Sequence, residues 1–422
     1  MLDIEASTTT IKSHMNHAFN ESNEPMLLIG NPNNRRTQGL QEARHRVGLQ
    51  PAVVLPYEEL LHTWRQGGTI IDVIHSELPA PLIRIDAPGE VWEVERELLH
   101  LGAIKDKSPL LDGIAEAEVF TAEQALMLEQ EWGRIYAPAQ WFRGWKSCLE
   151  RIGREARETW PGVRFMNDPA DIELMFDKRK CQQHLSLYGV QVPRTLQSSQ
   201  PILSYDVLRT TMESAGMHRV FVKLACGSGA SGVVAYQVNP RRSAEIAVTT
   251  VGMEQRQGKT IFFNEGRLRQ YTRSEEIATL MNWLCAEGAQ IERWMPKATL
   301  DQRAYDIRQL VAGGQAGHAI MRLSRTPITN LHLRNERMLP AEAGLDEQRM
   351  SLVRKTAQAA MSAFPNSWSA GIDVMLTSGP SPRAYVLDVN PFGDLLYRVE
   401  HHGLGTYEWE MELLRKEPIQ HA

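Results

Sequence analysis

Apolar positions along the chain fall into two regimes. In the N-terminal part, short apolar runs alternate with stretches whose hydrophobic residues recur at helical spacing. Met26-Leu-Leu-Ile-Gly30 predicts a strand, followed by a polar turn and a helix over 36–47. The unit recurs as Ala52-Val-Val-Leu55 before a helix over 57–64, and as Leu82-Ile-Arg-Ile85 before a helix over 90–101. Short apolar strands alternating with helices predict a small parallel α/β domain. Between 121 and 158 the helical period continues with few breakers, so one or two long helices are expected to lead into the next unit.

From residue 176 onward strand-like runs are denser and glycine turns more frequent. A helix over 177–188 precedes Gly-Val-Gln-Val-Pro193, a strand over 219–224, a glycine-rich turn and a returning strand over 232–238. A helix over 274–287 is followed by strands over 289–294, 305–312 and 317–323. A helix over 345–364 then precedes paired strands over 370–376 and 384–390. Helices mixed with antiparallel strands predict a pair of α+β lobes. The expected division is a flexible tail over 1–24, an N-terminal α/β domain over 25–110, a helical linker over 111–175, and lobes over 176–295 and 296–422.

Composition narrows this picture by exclusion. The 422 residues exceed one ordinary core, which agrees with several compact units. Hydrophobic residues at 42% and charged residues at 23% exclude a largely disordered or fibrous chain. A net charge of -5 argues against a nucleic-acid partner, and the longest basic run, Lys178-Arg179-Lys180, is too short to reverse that. The four cysteines, at 148, 181, 226 and 285, lack the spacing of a zinc site or redox pair and read as free thiols in a reducing compartment. No apolar run is long enough to span a bilayer, and residues 1–24 contain no signal-like apolar stretch. A cytoplasmic protein with no membrane partner is expected.

Three groupings carry candidate chemistry. In Phe221-Val-Lys-Leu-Ala-Cys-Gly-Ser-Gly-Ala-Ser-Gly232 a strand delivers Lys223, and Gly227, Ser228, Gly229 and Gly232 form a loop whose backbone N–H groups can approach an anion. A fixed cation beneath a glycine lid suits a triphosphate, although no Gly-Lys-Ser/Thr follows as in a Walker A loop. The alternative is a plain glycine hairpin with a solvent-facing lysine. In Gly371-Ile-Asp-Val374 and Leu387-Asp-Val-Asn-Pro391, strand alternation places Asp388 and Asn390 on one face, and Asp373 on a neighbouring strand can join them. Three hard oxygen donors suit magnesium; otherwise these acids flank exposed strand ends. In Ala289-Gln-Ile-Glu-Arg-Trp-Met-Pro296, a strand that ends after Glu292 leaves backbone near Trp294 free to meet an adenine edge. Asp306 and Arg308 share a face of the next strand, where one can accept from a ribose hydroxyl and the other hold an anion. The competing reading is that they form cross-strand ion pairs.

The ordered series Asp177-Lys178, Gly-Val-Gln-Val-Pro193, Val-Lys223 with its glycine loop, Ile-Glu292, Asp306-Ile-Arg308 and Asp388-Val-Asn390 resembles the ATP-grasp superfamily over roughly residues 165 to 400. The small α/β domain before it looks like that family's N-terminal substrate domain. Asp-Ile-Arg308, Arg322 and Thr329-Asn-Leu-His332 look closest to peptide and amino-acid ligases of the ribosomal-protein glutamate ligase and glutathione synthetase type. The resemblance implies ATP and Mg2+ as cofactors and an acyl-phosphate route from a small-molecule or peptide carboxylate and an amine acceptor to an amide. It places Lys178 and Lys223 on the α and β phosphates, the 227–232 loop over the triphosphate, and Glu292 with the backbone around Trp294 on adenine. Asp306 takes the ribose, Asp373, Asp388 and Asn390 hold magnesium, and Arg308, Arg322 and Asn330 steady the carboxylate and its acyl phosphate. Departures are Asp388 where these ligases carry a glutamate, Leu-Arg-Asn335 after the Thr329 motif in place of a glycine pair, and Pro-Phe-Gly-Asp394 after Asn390. A small-molecule kinase on the same fold and a non-catalytic ATP-binding module are the alternatives. A homodimer is an oligomeric state left open, and Arg84 is a further candidate to reach substrate from the N-terminal domain.

Overall fold

The computed structural model describes residues 25–74, 78–103, 114–115, 117–227, 231–242, 244–329, 336–393 and 396–416, so the expected tail over 1–24 lies outside the described residues. The N-terminal unit runs β1 (Met26–Gly30), α1 (Arg35–Arg46), β2 (Val53–Pro56), α2 (Tyr57–Arg65), α3 (Ile70–Val73), β3 (Leu82–Ile85), α4 (Trp92–Leu101), α5 (Ala122–Leu126), α6 (Pro138–Thr159) and β4 (Arg164–Phe165). Its four strands form a parallel sheet in the order β2-β1-β3-β4. Because both faces of such a sheet are covered, its central strand β1 is apolar throughout rather than alternating. In β1, Leu27 and Ile29 pack with Trp145, Cys148, Leu149 and Ile152 of α6. Met26 and Leu28 turn the other way, toward Leu40 of α1 and Tyr407 and Met411 near the C-terminus. Within the span expected as a linker, Pro138–Thr159 supplies one helical layer and Arg164–Phe165 the last strand of this sheet.

Two α+β units follow. The first comprises α7 (Pro169–Phe176), α8 (Lys178–Leu187), α9 (Tyr205–Ser214), β5 (Arg219–Leu224), β6 (Val233–Val238), β7 (Glu245–Arg256), β8 (Lys259–Tyr271), α10 (Ser274–Ala286) and β9 (Ala289–Arg293). Its antiparallel sheet has the order β8-β7-β6-β5-β9 and packs its apolar face on α9 and α10. The second comprises β10 (Thr299–Leu300), β11 (Arg303–Ala312), β12 (Gln315–Ser324), β13 (Glu336–Met338), α11 (Glu347–Ser362), β14 (Ser369–Leu376), β15 (Ala384–Asn390) and α12 (Thr406–Lys416). Its strands order as β13-β12-β11-β14-β15, with β10 beside β11. One face buries Ile307, Met321, Ile372 and Val374 against Val353, Ala357 and Ala360 of α11 and Cys181 and Leu185 of α8. The period of two then sends Asp306, Arg308, Arg322 and Asp373 to the opposite face.

Arg84, the candidate to reach substrate from the N-terminal domain, is taken up inside the fold. It is 5% exposed, ion-paired to Glu410 at 2.9 Å and stacked on Tyr407. Ser369 Oγ donates to the same Glu410 carboxylate at 2.6 Å, so this cluster ties β3 and β14 to the C-terminal helix. All four cysteines are free, and among the described residues no helix is long and apolar enough to cross a membrane.

Helices α4 and α6 touch backbone to backbone through Gly102 and Gly144. A Cβ on Gly144 would lie 1.8 Å from the Leu98 carbonyl oxygen, and one on Gly102 would lie 1.9 Å from that of Gln140. Gly144→Ala raises helix propensity by about 1 kcal/mol, yet no rotamer relieves a clash with backbone. The variant is therefore expected to lose about 3 kcal/mol of stability, seen as a lower urea midpoint. An unchanged or raised midpoint would show that the helices can separate at little cost.

Candidate active site

A cleft of about 650 Å³ lies where the three units meet, with walls from β5, β9, β11, β12, β14 and β15 and from the loop after β3. Lys178, Lys223, Gly227, Glu292, Asp306, Arg308, Arg322, Asp373, Asp388 and Asn390 all line it. The chain brings together residues more than 200 positions apart because α8 packs against the second sheet and delivers Lys178 at its first turn. Asp177 caps that helix, accepting from the backbone N–H of Arg179 at 3.0 Å.

Two lysines stand in the cleft, each held by a carboxylate. Lys178 Nζ is 3.1 Å from Asp388 Oδ2, and burial, which lowers its pKa, is outweighed by Asp388, so the ammonium titrates above the usual lysine value. Lys223 Nζ is 2.6 Å from Glu292 Oε1. Glu292 is 2% exposed and also receives Gln182 Nε2 at 3.4 Å. In this arrangement Glu292 orients Lys223.

Across the second sheet, register makes a chequered array of charges. Asp306 faces Arg322 between β11 and β12, Arg308 faces Asp373 between β11 and β14, and Asp373 faces Asp388 between β14 and β15. Arg322 bridges the two acids, with Nε 2.6 Å from Asp306 Oδ1 and Nη2 3.0 Å from Asp373 Oδ1. Arg308 also pairs with Asp373. Lys297 Nζ reaches Asp306 Oδ2 and Thr329 Oγ1, both at 2.7 Å, and Thr329 donates to Asp306. Burial opposes ionisation of Asp306 and Asp373, but the flanking cations win: Arg322 and Lys297 hold Asp306, and Arg308 and Arg322 hold Asp373, below the usual carboxylate range. The competing reading of cross-strand ion pairs is therefore present in the structure, on the cleft side. Both oxygens of Asp306 are engaged, and it holds Arg322 and Lys297 in place.

Like charges directly opposite on paired strands repel, so Asp373 beside Asp388 asks for cations. The protein supplies Arg308, Arg322 and Lys178. Asn390 lies two residues beyond Asp388 on the same face, and its Nδ2 donates to the Gly371 carbonyl at 2.9 Å, leaving Oδ1 as the acceptor. Among the described residues no cluster of three or more His, Cys, Asp or Glu side chains suits a metal. Two carboxylates and one amide oxygen form a partial hard-donor set, which fits magnesium completed by phosphate oxygens and water.

Other expected site residues fall elsewhere. Gly232 does not line the cleft: it has φ +69°, and a Cβ there would meet Leu224 Cδ1 at 2.4 Å, so turn and packing account for glycine. Trp294 packs on Phe221 and Arg219, and its backbone N–H donates to the Arg219 carbonyl at 3.1 Å, while its neighbours Arg293 and Met295 line the cleft. Ser228, Gly229, Asn330 and His332 lie outside the described residues. His318 is buried and bonds the Leu404 carbonyl through Nε2, a structural role. Lys297, Arg36, Arg337 and Glu95 line the cleft without having been anticipated. Lys297 sits one residue past the Pro296 that ends the adenine motif, and that position was its only signal.

No protein-family model matches the sequence, and a comparison with curated proteins gives no match. Among solved structures the chain is similar to the ATP-grasp ligase PsnB complexed with minimal precursor, at 14% identity and TM-score 0.49, covering 93% of this chain and 98% of that one. It is similar to the D-cycloserine synthetase DcsG at 14% identity and TM-score 0.49, covering 93% and 99%. A third is the macrocyclase MdnC bound with precursor peptide MdnA from Microcystis aeruginosa MRC, at 12% identity and TM-score 0.48, covering 93% and 100%. At such distances the likeness says nothing of chemistry, which rests on this chain's own residues.

Proposed function

We propose that the chain is a cytoplasmic ATP-dependent ligase of the ATP-grasp type, activating a carboxylate as an acyl phosphate that an amine attacks to give an amide, ADP and phosphate. The observation that carries this reading is the convergence of Lys178 and Lys223 with Asp373, Asp388 and Asn390 in one cleft, from segments far apart in sequence. Lys178 and Lys223 hold the phosphates of ATP, with Gly227 and Ser231 in the same cleft wall. Asp373, Asp388 and Asn390 hold magnesium, which when bound offsets charge on the phosphates. Arg308 and Arg322 present planar guanidinium donors to the substrate carboxylate, and their ion pairs with Asp373 and Asp306 fix them. Preorganised cations of this kind act where charge develops on the transferring phosphoryl group. Glu292 and Asp306 position the cations they pair with.

The test is product analysis with purified protein, Mg-ATP, a panel of amino acids and peptides as acids, and a panel of amines. ADP and free phosphate released only when acid and amine are both present is the expected result. Phosphate retained on the product would replace this reading with a small-molecule kinase. ATP binding without ADP release under any acid would leave a non-catalytic nucleotide-binding module.

A further inference from the structure

The N-terminal side of the cleft has a different chemistry from the rest. Among the described residues, each carboxylate that the two lobes present to the cleft is paired: Asp306 with Arg322 and Lys297, Asp373 with Arg308 and Arg322, Asp388 with Lys178, and Glu292 with Lys223. Glu95 on α4 is half-buried in the cleft wall, and among the described residues no cation pairs with it. Its Oε1 lies against Gly89, where a Cβ would approach it to 3.4 Å. Beside it stand aromatic rings that also line the cleft. Trp141 and Phe176 have ring centroids 5.7 Å apart, and Phe176 and Phe392 are 6.3 Å apart. The buried indole Nε1 of Trp141 meets no acceptor in full hydrogen-bonding geometry, but lies close enough to the Glu95 carboxylate to favour its charged form. An unneutralised carboxylate bordered by π faces is a cation-recognition surface, since ring quadrupoles and the carboxylate attract the same sign of charge.

We propose that Glu95, Trp141, Phe176 and Phe392 form the acceptor subsite, binding an aliphatic ammonium group against the rings and taking its proton at the Glu95 carboxylate. This rests on the ligase reading and assigns the amine to the N-terminal face of the cleft. Burial pushes the Glu95 carboxyl up to about 7, against a lowering influence from Trp141. A base in that range can take a proton from an ammonium near neutral pH. The step balances as follows. One ammonium proton passes to Glu95, and the freed nitrogen lone pair forms the C–N bond at the acyl carbon. The C–O bond to phosphate breaks with its electron pair, and the second N–H proton leaves with the phosphate. The other charged groups near the subsite are engaged or solvated: Arg36 pairs with Asp86, Lys178 with Asp388, and Glu90 is exposed at the rim.

The experiment compares the intact chain with Glu95→Gln, using Mg-ATP, an acid that supports ADP release, and either primary alkylamines or hydroxylamine as acceptor. Hydroxylamine is uncharged near neutral pH and needs no base before it attacks, so its hydroxamate reports the acyl phosphate directly. In Glu95→Gln the ratio of amide to hydroxamate formation is expected to fall by about 10²-fold or more. Phe392→Leu, which keeps the carboxylate, is expected to raise KM for alkylamines several-fold with a smaller change in kcat. An unchanged ratio in Glu95→Gln overturns the subsite, as does parallel loss of both products. Absence of hydroxamate from the wild-type chain with every acid overturns the ligase reading, and this inference with it.

Discussion

Lys223→Met is expected to lower acid-dependent ADP release by roughly 10²–10³-fold, the loss seen when one preorganised charge donor is removed from a site of developing negative charge. Asp388→Asn should do the same from the metal side, and it also frees Lys178, whose ammonium Asp388 holds. The side chain of Lys223 is 13% exposed and its partner Glu292 lies in the core of the wall, so the cation is oriented before nucleotide arrives. That pairing complicates a simple alanine scan. Taking away Lys223 alone leaves a buried carboxylate without its cation, which costs stability as well as activity. Lys223→Met combined with Glu292→Gln separates the two effects: melting temperature should recover toward the parent while turnover stays low. Glu292→Gln alone, which keeps the cation and loosens its orientation, should fall between. Near-normal turnover in Lys223→Met or in Asp388→Asn would remove the phosphate and metal assignment.

The parts of the molecule readable from sequence are those where local pattern and tertiary demand agree. Met26-Leu-Leu-Ile-Gly30 is apolar at every position because both faces of a parallel sheet are covered, and the strand has the predicted bounds. The alternation of Ile372, Val374, Leu387 and Val389 with Asp373 and Asp388 likewise foretold a sheet with one polar face, although a register shift between β14 and β15 puts Val386 in the core and leaves Leu387 lining the cleft. The ribbon of β7 and β8 went unread, since its outer half carries Glu254, Gln255, Arg256 and Lys259 and buries too little to impose a period. Partners were less legible than positions. Asp306 and Arg308 were seen to share a face, but their mates Arg322 and Asp373 follow from strand register across β11, β12 and β14. Glu95 left no motif at all. It sits on a helix of the N-terminal unit, and only the packing of three units brings it to the cleft.

Arg322→Leu is expected to destabilise the second lobe by about 3–5 kcal/mol at neutral pH, the range for breaking a buried ionic array by removing one partner. Arg322 is 6% exposed and is shared by Asp306 and Asp373, themselves 2% and 7% exposed. Without it, Lys297 and Arg308 must each balance a buried acid alone, while the two carboxylates repel across one strand spacing. Arg322→Lys keeps the charge but not the fork, and should recover only part of the loss because one ammonium cannot reach both acids in a fixed plane. The pH dependence gives the sharper test. In the parent both acids titrate below the unfolded value of about 3.9, so their stabilisation is present above that pH and is lost as pH falls below it through their lower folded values. In Arg322→Leu burial is no longer outweighed, both carboxyls titrate higher, and the penalty belongs to the ionised forms. The stability deficit should therefore be largest at pH 7 to 8 and shrink as pH falls toward 4, and Asp373→Asn added to Arg322→Leu should reduce it at neutral pH. Thermal unfolding of the parent and these variants across that range decides the matter. A deficit that stays constant with pH would mean that Arg322 contributes packing alone, and that the chequered charges of the sheet are not coupled.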